Sequence, residues 1–249
     1  MLLREQNSVQ IPALAEMLGV STQTLRKDLN FLDAKGVCTR TTGGALVRFG
    51  ALSSGGMSPS EDAIEIRRKR YAHEKACIGR AAARLIRAGE SVLLDSGTTT
   101  WQVARHLSVA DPLVVVTNDV GIMTELAAHQ SVQLVFLGGT LRRTNLSFYG
   151  TQTERALDGL HVDKLFLAAD GFHSDKGVTT HYEPEALLNR LMCRAASEII
   201  VVTDSSKFGR ICLHKILEPQ RVSRLVTDAG IPDQTRDELG RLGVEVIVA

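Results

Sequence analysis

Apolar positions along this chain follow three successive rhythms. Residues 12–20 carry Leu14, Ala15 and Leu18 at helical spacing, with Pro12 in the first helical position and Gly19 at the stop. Ser21 then stands as the cap of a second helix over residues 21–36, with Leu25, Leu29 and Leu32 as its buried stripe and Gly36 at its end. Val37 and Leu46-Val47 flank Arg40-Thr41-Thr42-Gly43-Gly44-Ala45, which reads as a β-hairpin wing turning at the glycine pair. Residues 49–60 lose all periodicity and are rich in Gly and Ser, the composition of a flexible linker. Residues 61–87 return to a helical pattern, and Ala76, Ile78, Gly79, Ala82, Ala83 and Ile86 give the later part a close-packing face. The block Arg67-Arg68-Lys69-Arg70 within it reads first as a solvated helix face and second as a DNA-backbone contact. From Val92 onward short apolar runs alternate with amphipathic ones. Strands are predicted over residues 92–94, 113–117, 133–137, 165–168, 199–202, 224–226 and 244–248, and helices over 99–107, 120–128, 183–197 and 232–242.

Runs such as LVVV and IIVV, separated by helices, predict an α/β fold with a mostly parallel sheet covered on both faces. Ligands of such sheets bind outside the carboxyl ends of the strands. Those ends are polar or glycine-rich here. They read Asp95-Ser96-Gly97-Thr98-Thr99, Thr117-Asn118-Asp119, Gly138-Gly139-Thr140-Leu141-Arg142-Arg143, Asp170-Gly171 and Thr203-Asp204-Ser205-Ser206-Lys207. Any one of these is ordinarily a turn. Together at one edge they predict a pocket of carboxylates, hydroxyls, open backbone and a few cations, which suits a phosphorylated polyol. Arg142 or Lys207 would take the phosphate, and Asp and Asn side chains the hydroxyls. The first end is the most specific. A turn of Gly and small hydroxyl residues that leaves a strand and opens a helix lets backbone N–H groups converge on an anion. Asp and Ser after a strand are also ordinary helix N-caps, and the Gly-Lys-Ser/Thr ending of a Walker A loop is missing.

Composition narrows the partners. The 249 residues hold 29 basic and 28 acidic side chains, net charge +1, so no global field announces a polyanion. Residues 1–50 hold six basic and four acidic side chains, so pattern rather than charge points to DNA there. Two helices joined by a Gly-containing turn, the second capped by Ser, form a helix-turn-helix signature. Thr22, Gln23, Thr24, Arg26 and Lys27 at the start of the second helix are side-chain types that reach base edges and phosphates. Cys38, Cys77, Cys193 and Cys212 are scattered, with no Cys-x-x-Cys, and read as reduced thiols without a zinc site. No apolar run approaches the roughly 18–20 residues of a membrane span, and no signal-peptide core opens the chain. The expectation is a cytoplasmic protein with no membrane contact, no metal and no cofactor. Of the dispersed histidines, His181 falls nearest the expected pocket.

Leu14-Ala15, Val20-Ser21, Thr24-Leu25-Arg26-Lys27-Asp28-Leu29 and Arg40-Thr41-Thr42-Gly43-Gly44-Ala45 closely resemble the winged helix of the DeoR family of bacterial repressors. Against that pattern only Met1–Gln6 remain of the first helix, so the expectation is either a true start upstream or a curtailed first helix. Leu94-Asp95-Ser96-Gly97-Thr98-Thr99-Thr100, Ser147-Phe148-Tyr149-Gly150, Thr179-Thr180-His181 and Glu183-Pro184-Glu185-Ala186 resemble the family's sensor domain. The tract from Ile199 to Phe208 is similar to the branch that governs amino-sugar use. The resemblance implies an N-terminal winged helix-turn-helix over residues 1–48, a linker over 49–60, and an effector and oligomerisation domain over 61–249. It implies that this last domain is a mostly parallel α/β sugar-phosphate sensor of ribose-5-phosphate-isomerase-like type. Operator DNA is then the partner of Ser21, Thr22, Gln23, Thr24, Arg26, Lys27 and Arg40, in a homodimer or homotetramer. A phosphorylated sugar is the partner of Asp95, Ser96, Gly97, Thr98, Thr99, Thr117, Asn118, Gly138, Gly139, Arg142, Asp170, Gly171, Glu183 and Lys207. The alternative is an enzyme, since carboxylates with His181 and Lys207 could move protons in a sugar-phosphate isomerase or amino-sugar-phosphate deaminase. A helix-turn-helix has no use in such an enzyme.

Overall fold

The computed structural model describes residues 8–12, 15, 19–34, 38–40, 44–47, 64–108 and 112–249, with the backbone alone at 8–10, 31–34, 38–40 and 44–47. The expectations for Met1–Gln6, the wing turn Thr41–Gly43 and the linker over 49–60 lie outside these residues. The chain divides into two units, Met1–Pro59 and Ser60–Ala249.

In the first unit strand β1 (Ser8–Gln10) precedes helix α1 (Thr22–Ala34), which is followed by β2 (Cys38–Arg40) and β3 (Gly44–Val47). Strand β3 pairs antiparallel with both others, so the hairpin read from the sequence gains a third strand. Ser21 starts α1 because its Oγ accepts the Thr24 N–H at 3.0 Å, satisfying one of the donors that a helix start leaves open. Leu25 and Leu29 are buried on one face of α1, as their spacing requires.

The second unit opens with α2 (Ile64–Lys69), α3 (Ala72–Ala83), β4 (Ser91–Leu94), α4 (Thr98–Arg105), β5 (Leu113–Thr117), α5 (Val120–Leu126) and β6 (Val132–Phe136). A hairpin of β7 (Thr140–Arg142) and β8 (Ser147–Tyr149) leads to α6 (Thr151–Ala156) and β9 (Val162–Leu167). Next come β10 (Gly171–His173), β11 (Gly177–Thr180), α7 (Glu183–Ala195), β12 (Ala196–Val202) and β13 (His214–Leu217). The chain finishes with β14 (Arg224–Thr227), α8 (Asp233–Arg241) and β15 (Glu245–Val248).

Seven strands form one sheet in the order β15-β14-β12-β9-β4-β5-β6, every neighbouring pair parallel. Side chains of a strand alternate between faces, and the two cores follow that alternation. Leu93, Leu165, Leu167 and Val201 pack with Leu188 and Met192 of α7 and Leu239 of α8. Val92, Leu94, Phe166, Ile200 and Val202 pack on the other face with Ile78 of α3, Val103 of α4 and Ile122 of α5. A Leu or Phe buried from both sides contributes about 1.5–3 kcal/mol, which is why these strands read as unbroken apolar runs.

Residues 61–87 do not form one helix. Tyr71 adopts φ 52°, ψ 39°, a left-handed conformation that ends the helical path between α2 and α3. The buried Lys75 Nζ donates to the carbonyls of Arg67 and Arg70, at 2.7 and 2.8 Å, taking up acceptors that the break leaves open. The pairs β7-β8 and the small antiparallel sheet β10-β11-β13 were not legible as strands. Their three- or four-residue runs are too short to show a period.

Candidate functional site

The exposed face of α1 presents Thr22, Gln23, Arg26 and Lys27. Ser21 and Thr24 are also exposed, but their hydroxyls pair with each other at 2.8 Å and hold the helix start. Arg40 closes β2.

A cavity of about 220 Å³ opens where β12, β9 and β4 lie side by side, at their carboxyl ends. Gly97, Thr98 and Thr99 come from the turn after β4, and Ala168 and Ala169 from the end of β9. Thr203, Asp204, Ser206 and Lys207 follow β12. Helix α4 begins at this wall with no side-chain cap on its first N–H groups, leaving donors and a positive helix end at the opening. Gly171 matters through space, because a Cβ there would stand 2.6 Å from the Arg210 carbonyl oxygen, and Arg210 completes this side.

The opposite wall comes from before the sheet: Arg67 of α2, then Arg70, Tyr71 and Lys75. Arg67 donates to Asp170 Oδ1 and Asn145 Oδ1, each at 3.3 Å. Burial works to raise the Asp170 pKa, but Arg67, the Thr180 hydroxyl and His181 together hold it below the ordinary carboxylate value. Burial lowers the Lys75 pKa to about 8, against the pull of Asp204. Lys207 is lowered for the same reason, with Asp204 and Asp170 opposing.

Behind the wall the polar groups hold one another. Asp95 is 1% exposed and accepts the Ser96 and Ala168 N–H groups at 2.7 and 3.2 Å, together with Asn189 Nδ2 at 3.4 Å. Burial, then the nearby Glu185 charge, raises its pKa well above the ordinary value. Thr117 Oγ1 donates to the Leu94 carbonyl, and Asn118 Nδ2 to that of Phe148. Asn145 Nδ2 donates to Ser96 Oγ at 3.2 Å, which links the turn after β4 to Arg67.

Residues 70–229 match the family described as DeoR C terminal sensor domain, and residues 1–48 match the DeoR-like helix-turn-helix domain. The chain belongs to the DeoR family. An Escherichia coli O157:H7 protein, named for transcriptional repression of the aga operon, is 43% identical over 99% of this chain and 90% of its own length. The HTH-type transcriptional repressor GlcR of Bacillus subtilis (strain 168) is 31% identical over 99% of this chain and 92% of its own. Among solved structures, ribose 5-phosphate isomerase A from Methanocaldococcus jannaschii is similar over 55% of this chain and 55% of that one, with 17% identity and a TM-score of 0.42. This DeoR-family protein is a DNA-binding transcription regulator with a sensor domain after its helix-turn-helix. Among the described residues no helix is long and apolar enough to cross a membrane.

In this DeoR-family sensor, five strand ends read as one pocket sort into two groups. The ends of β4, β9 and β12 share the cavity, because β9 inserts between the other two. The ends of β5 and β6 are engaged by neighbouring segments: Asp119 bridges to Ser147 of β8, and the Gly138 carbonyl accepts the Thr153 hydroxyl. Gly97, Thr98, Thr99 and Lys207 therefore line the wall. Asp170 and Gly171 adjoin it through Arg67 and Arg210. Asp95, Ser96, Thr117, Asn118, Gly138 and Gly139 do not line it. Nor do Arg142 and Glu183. Arg142 pairs with Glu185 and lies 4.1 Å from the Tyr182 ring centre, while Glu183 is exposed at the start of α7. His181 approaches Cys212 instead, Nε2 to Sγ 3.3 Å.

Arg67, Arg70, Tyr71, Lys75 and Arg210 were missed. The run Arg67-Arg68-Lys69-Arg70 was the available signal, and reading it as a solvated face is corrected for its first two residues. Arg67 and Arg68 are half-buried, and Arg68 lies 4.4 Å from the Trp101 ring centre.

Proposed function

We propose that this DeoR-family regulator represses a sugar or amino-sugar catabolic operon and that a phosphorylated sugar, held in the cavity, is its effector. One observation carries the effector class. An uncapped helix start, the hydroxyls of Thr98 and Thr99, and the cations Lys207 and Arg210 share an opening with Asp204. The first set suits a phosphoryl group, and a carboxylate beside it suits a hydroxyl or an ammonium group. Gly97 permits the close approach, Asp170 and Gly171 position their neighbours, and Asp95, Ser96, Thr117 and Asn118 support the wall from behind. The names of the E. coli and B. subtilis relatives support repression.

In this reading residues 1–48 bind DNA, 49–60 connect, and 61–249 bind effector and assemble the oligomer, all in the cytoplasm. Thr22, Gln23 and Arg26 face base edges, and Lys27 and Arg40 face phosphates. Ser21 and Thr24 hold the helix in shape for them. One short helix discriminates little alone, so a homodimer or homotetramer reading repeated half-sites is part of the proposal. The cavity binds and releases its sugar phosphate without turnover.

The test is a gel shift of the chain's own upstream intergenic DNA, titrated with galactosamine 6-phosphate, N-acetylgalactosamine 6-phosphate and tagatose 6-phosphate, with product formation followed in parallel. The expected result is a specific shift reversed by one of these and no product. Arg26→Ala should weaken operator binding about tenfold, in line with about 1–3 kcal/mol for a good base contact. Turnover without any DNA shift would make the protein an enzyme and overturn the proposal.

A further inference from the structure

We propose that Arg67 contacts the effector's phosphoryl group directly and is the residue through which bound effector acts on α2. The inference rests on the sugar-phosphate reading of the cavity given above. Helix α2 is six residues long, and Ile64 is its one buried side chain. Ile66, on the same short helix, is 48% exposed. So little apolar area holds α2 in place, and polar ties do most of it. The Ile64 N–H donates to the Thr144 carbonyl at 3.2 Å, Arg68 stacks on Trp101, and Arg67 reaches Asn145 and Asp170.

The Arg67 contacts to Asn145 and Asp170 are each 3.3 Å, longer than the roughly 2.7–2.9 Å of a strong charge-assisted bond. The guanidinium reaches an amide and a carboxylate while it also forms part of the cavity wall. A phosphoryl group arriving opposite Lys207 offers it more charge and a bidentate partner. Asp170 does not depend on Arg67 alone, because it also accepts the Thr180 hydroxyl at 2.8 Å and the His181 N–H at 3.4 Å. Those two donors stay with Asp170 when Arg67 turns to the ligand. A ligand moves an equilibrium only by its differential affinity for two arrangements, and this exchange supplies the difference. Tyr71, left-handed and on the same wall, joins α2 to α3 in a conformation that a bulky side chain adopts only under constraint. In sequence α2 is the first described element after the helix-turn-helix unit.

The chain carries its own reporter. Trp101 is its single tryptophan, and Arg68 of α2 lies against its ring. The full-length protein is titrated with the three sugar phosphates named above and with inorganic phosphate. Calorimetry reads binding, and Trp101 emission reads the position of α2. In the wild type, binding should change the emission. Arg67→Ala should weaken binding about tenfold and abolish the emission change at saturation. Lys207→Ala should weaken binding yet keep that change once saturated, and Asp170→Asn should tighten binding severalfold by removing the competitor. An Arg67→Ala protein that binds with wild-type affinity, or keeps the full emission change, would overturn the inference and leave the cavity's sugar-phosphate reading standing. Absence of binding to the wild type would overturn that reading first, and this inference with it.

Discussion

Asp119 holds two segments with one carboxylate. Its Oδ1 accepts the Ile122 N–H at 2.9 Å and so caps α5, and its Oδ2 accepts the Gly97 N–H at 3.3 Å. Burial, only partly offset by these N–H groups and by Arg68, raises its pKa from 3.8 to about 6. Between those values the folded chain keeps a proton that the unfolded chain has released, so this group makes stability fall as pH rises through that window. Asp119→Asn removes the titration. Whatever constant offset the lost acceptor brings, the variant should gain on the wild type by about 2–3 kcal/mol between pH 4 and pH 7. Urea unfolding at a series of pH values measures this, and parallel profiles would refute it. Asp95 acts in the same direction, since burial raises its pKa too. From sequence alone Asp95 and Asp170 looked alike, each an aspartate at a strand end. What separates them is the neighbour each meets: a ring of N–H donors around Asp95, an arginine from α2 beside Asp170.

Among the elements, the packing of α3 on α4 shows what a small residue can convey. Gly79 was read as part of a close-packing face, and a Cβ there would stand 2.5 Å from the backbone carbonyl carbon of Gln102. Backbone cannot swing aside as a flexible side chain can. Gly79→Val should therefore cost about 1–3 kcal/mol through forced separation of the helices, read as a lower unfolding midpoint, and an unchanged midpoint would show that α4 yields. The helices α4, α5, α7 and α8 were legible because each buries a periodic face, and the strands of the large sheet because they are unbroken apolar runs, whereas the short α6 was not. The break at Tyr71 was not, since no proline or glycine marks it; Lys75 takes up two of the carbonyls it leaves open. The hairpin β7-β8 escaped notice for a related reason, its residues being engaged across to Asp119 and Asn118 rather than along a strand of their own.

At the scale of the molecule, the strand order carries the site. From β4 the chain winds outward to β5 and β6, then returns to place β9 on β4's other side before continuing to β12, β14 and β15. The cavity stands beside that reversal, where sheets of this kind leave a crevice. That a pocket would open at strand ends was legible from sequence, whereas which three ends share the crevice depended on β9's position, which no local pattern encodes. A ligand that binds only the folded sensor stabilises it by mass action. At a hundredfold excess over its Kd, the effector should add about 2.7 kcal/mol to unfolding of the residues after 64. Hydrogen exchange should show that gain in β4, β9 and β12 and leave α1 unaltered; uniform protection of α1 as well would contradict a ligand confined to the cavity.

The same strand order places the cavity in time. Part of the lining, Arg67 and Gly97 among it, comes early in the chain and part, Lys207 and Arg210, comes late, with more than a hundred residues of chain between them. A nascent chain that has emerged only as far as β6 already displays the helix-turn-helix segment but has no pocket. The cavity therefore exists only after β12 has slotted in beside β9 and the segment through Arg210 has followed.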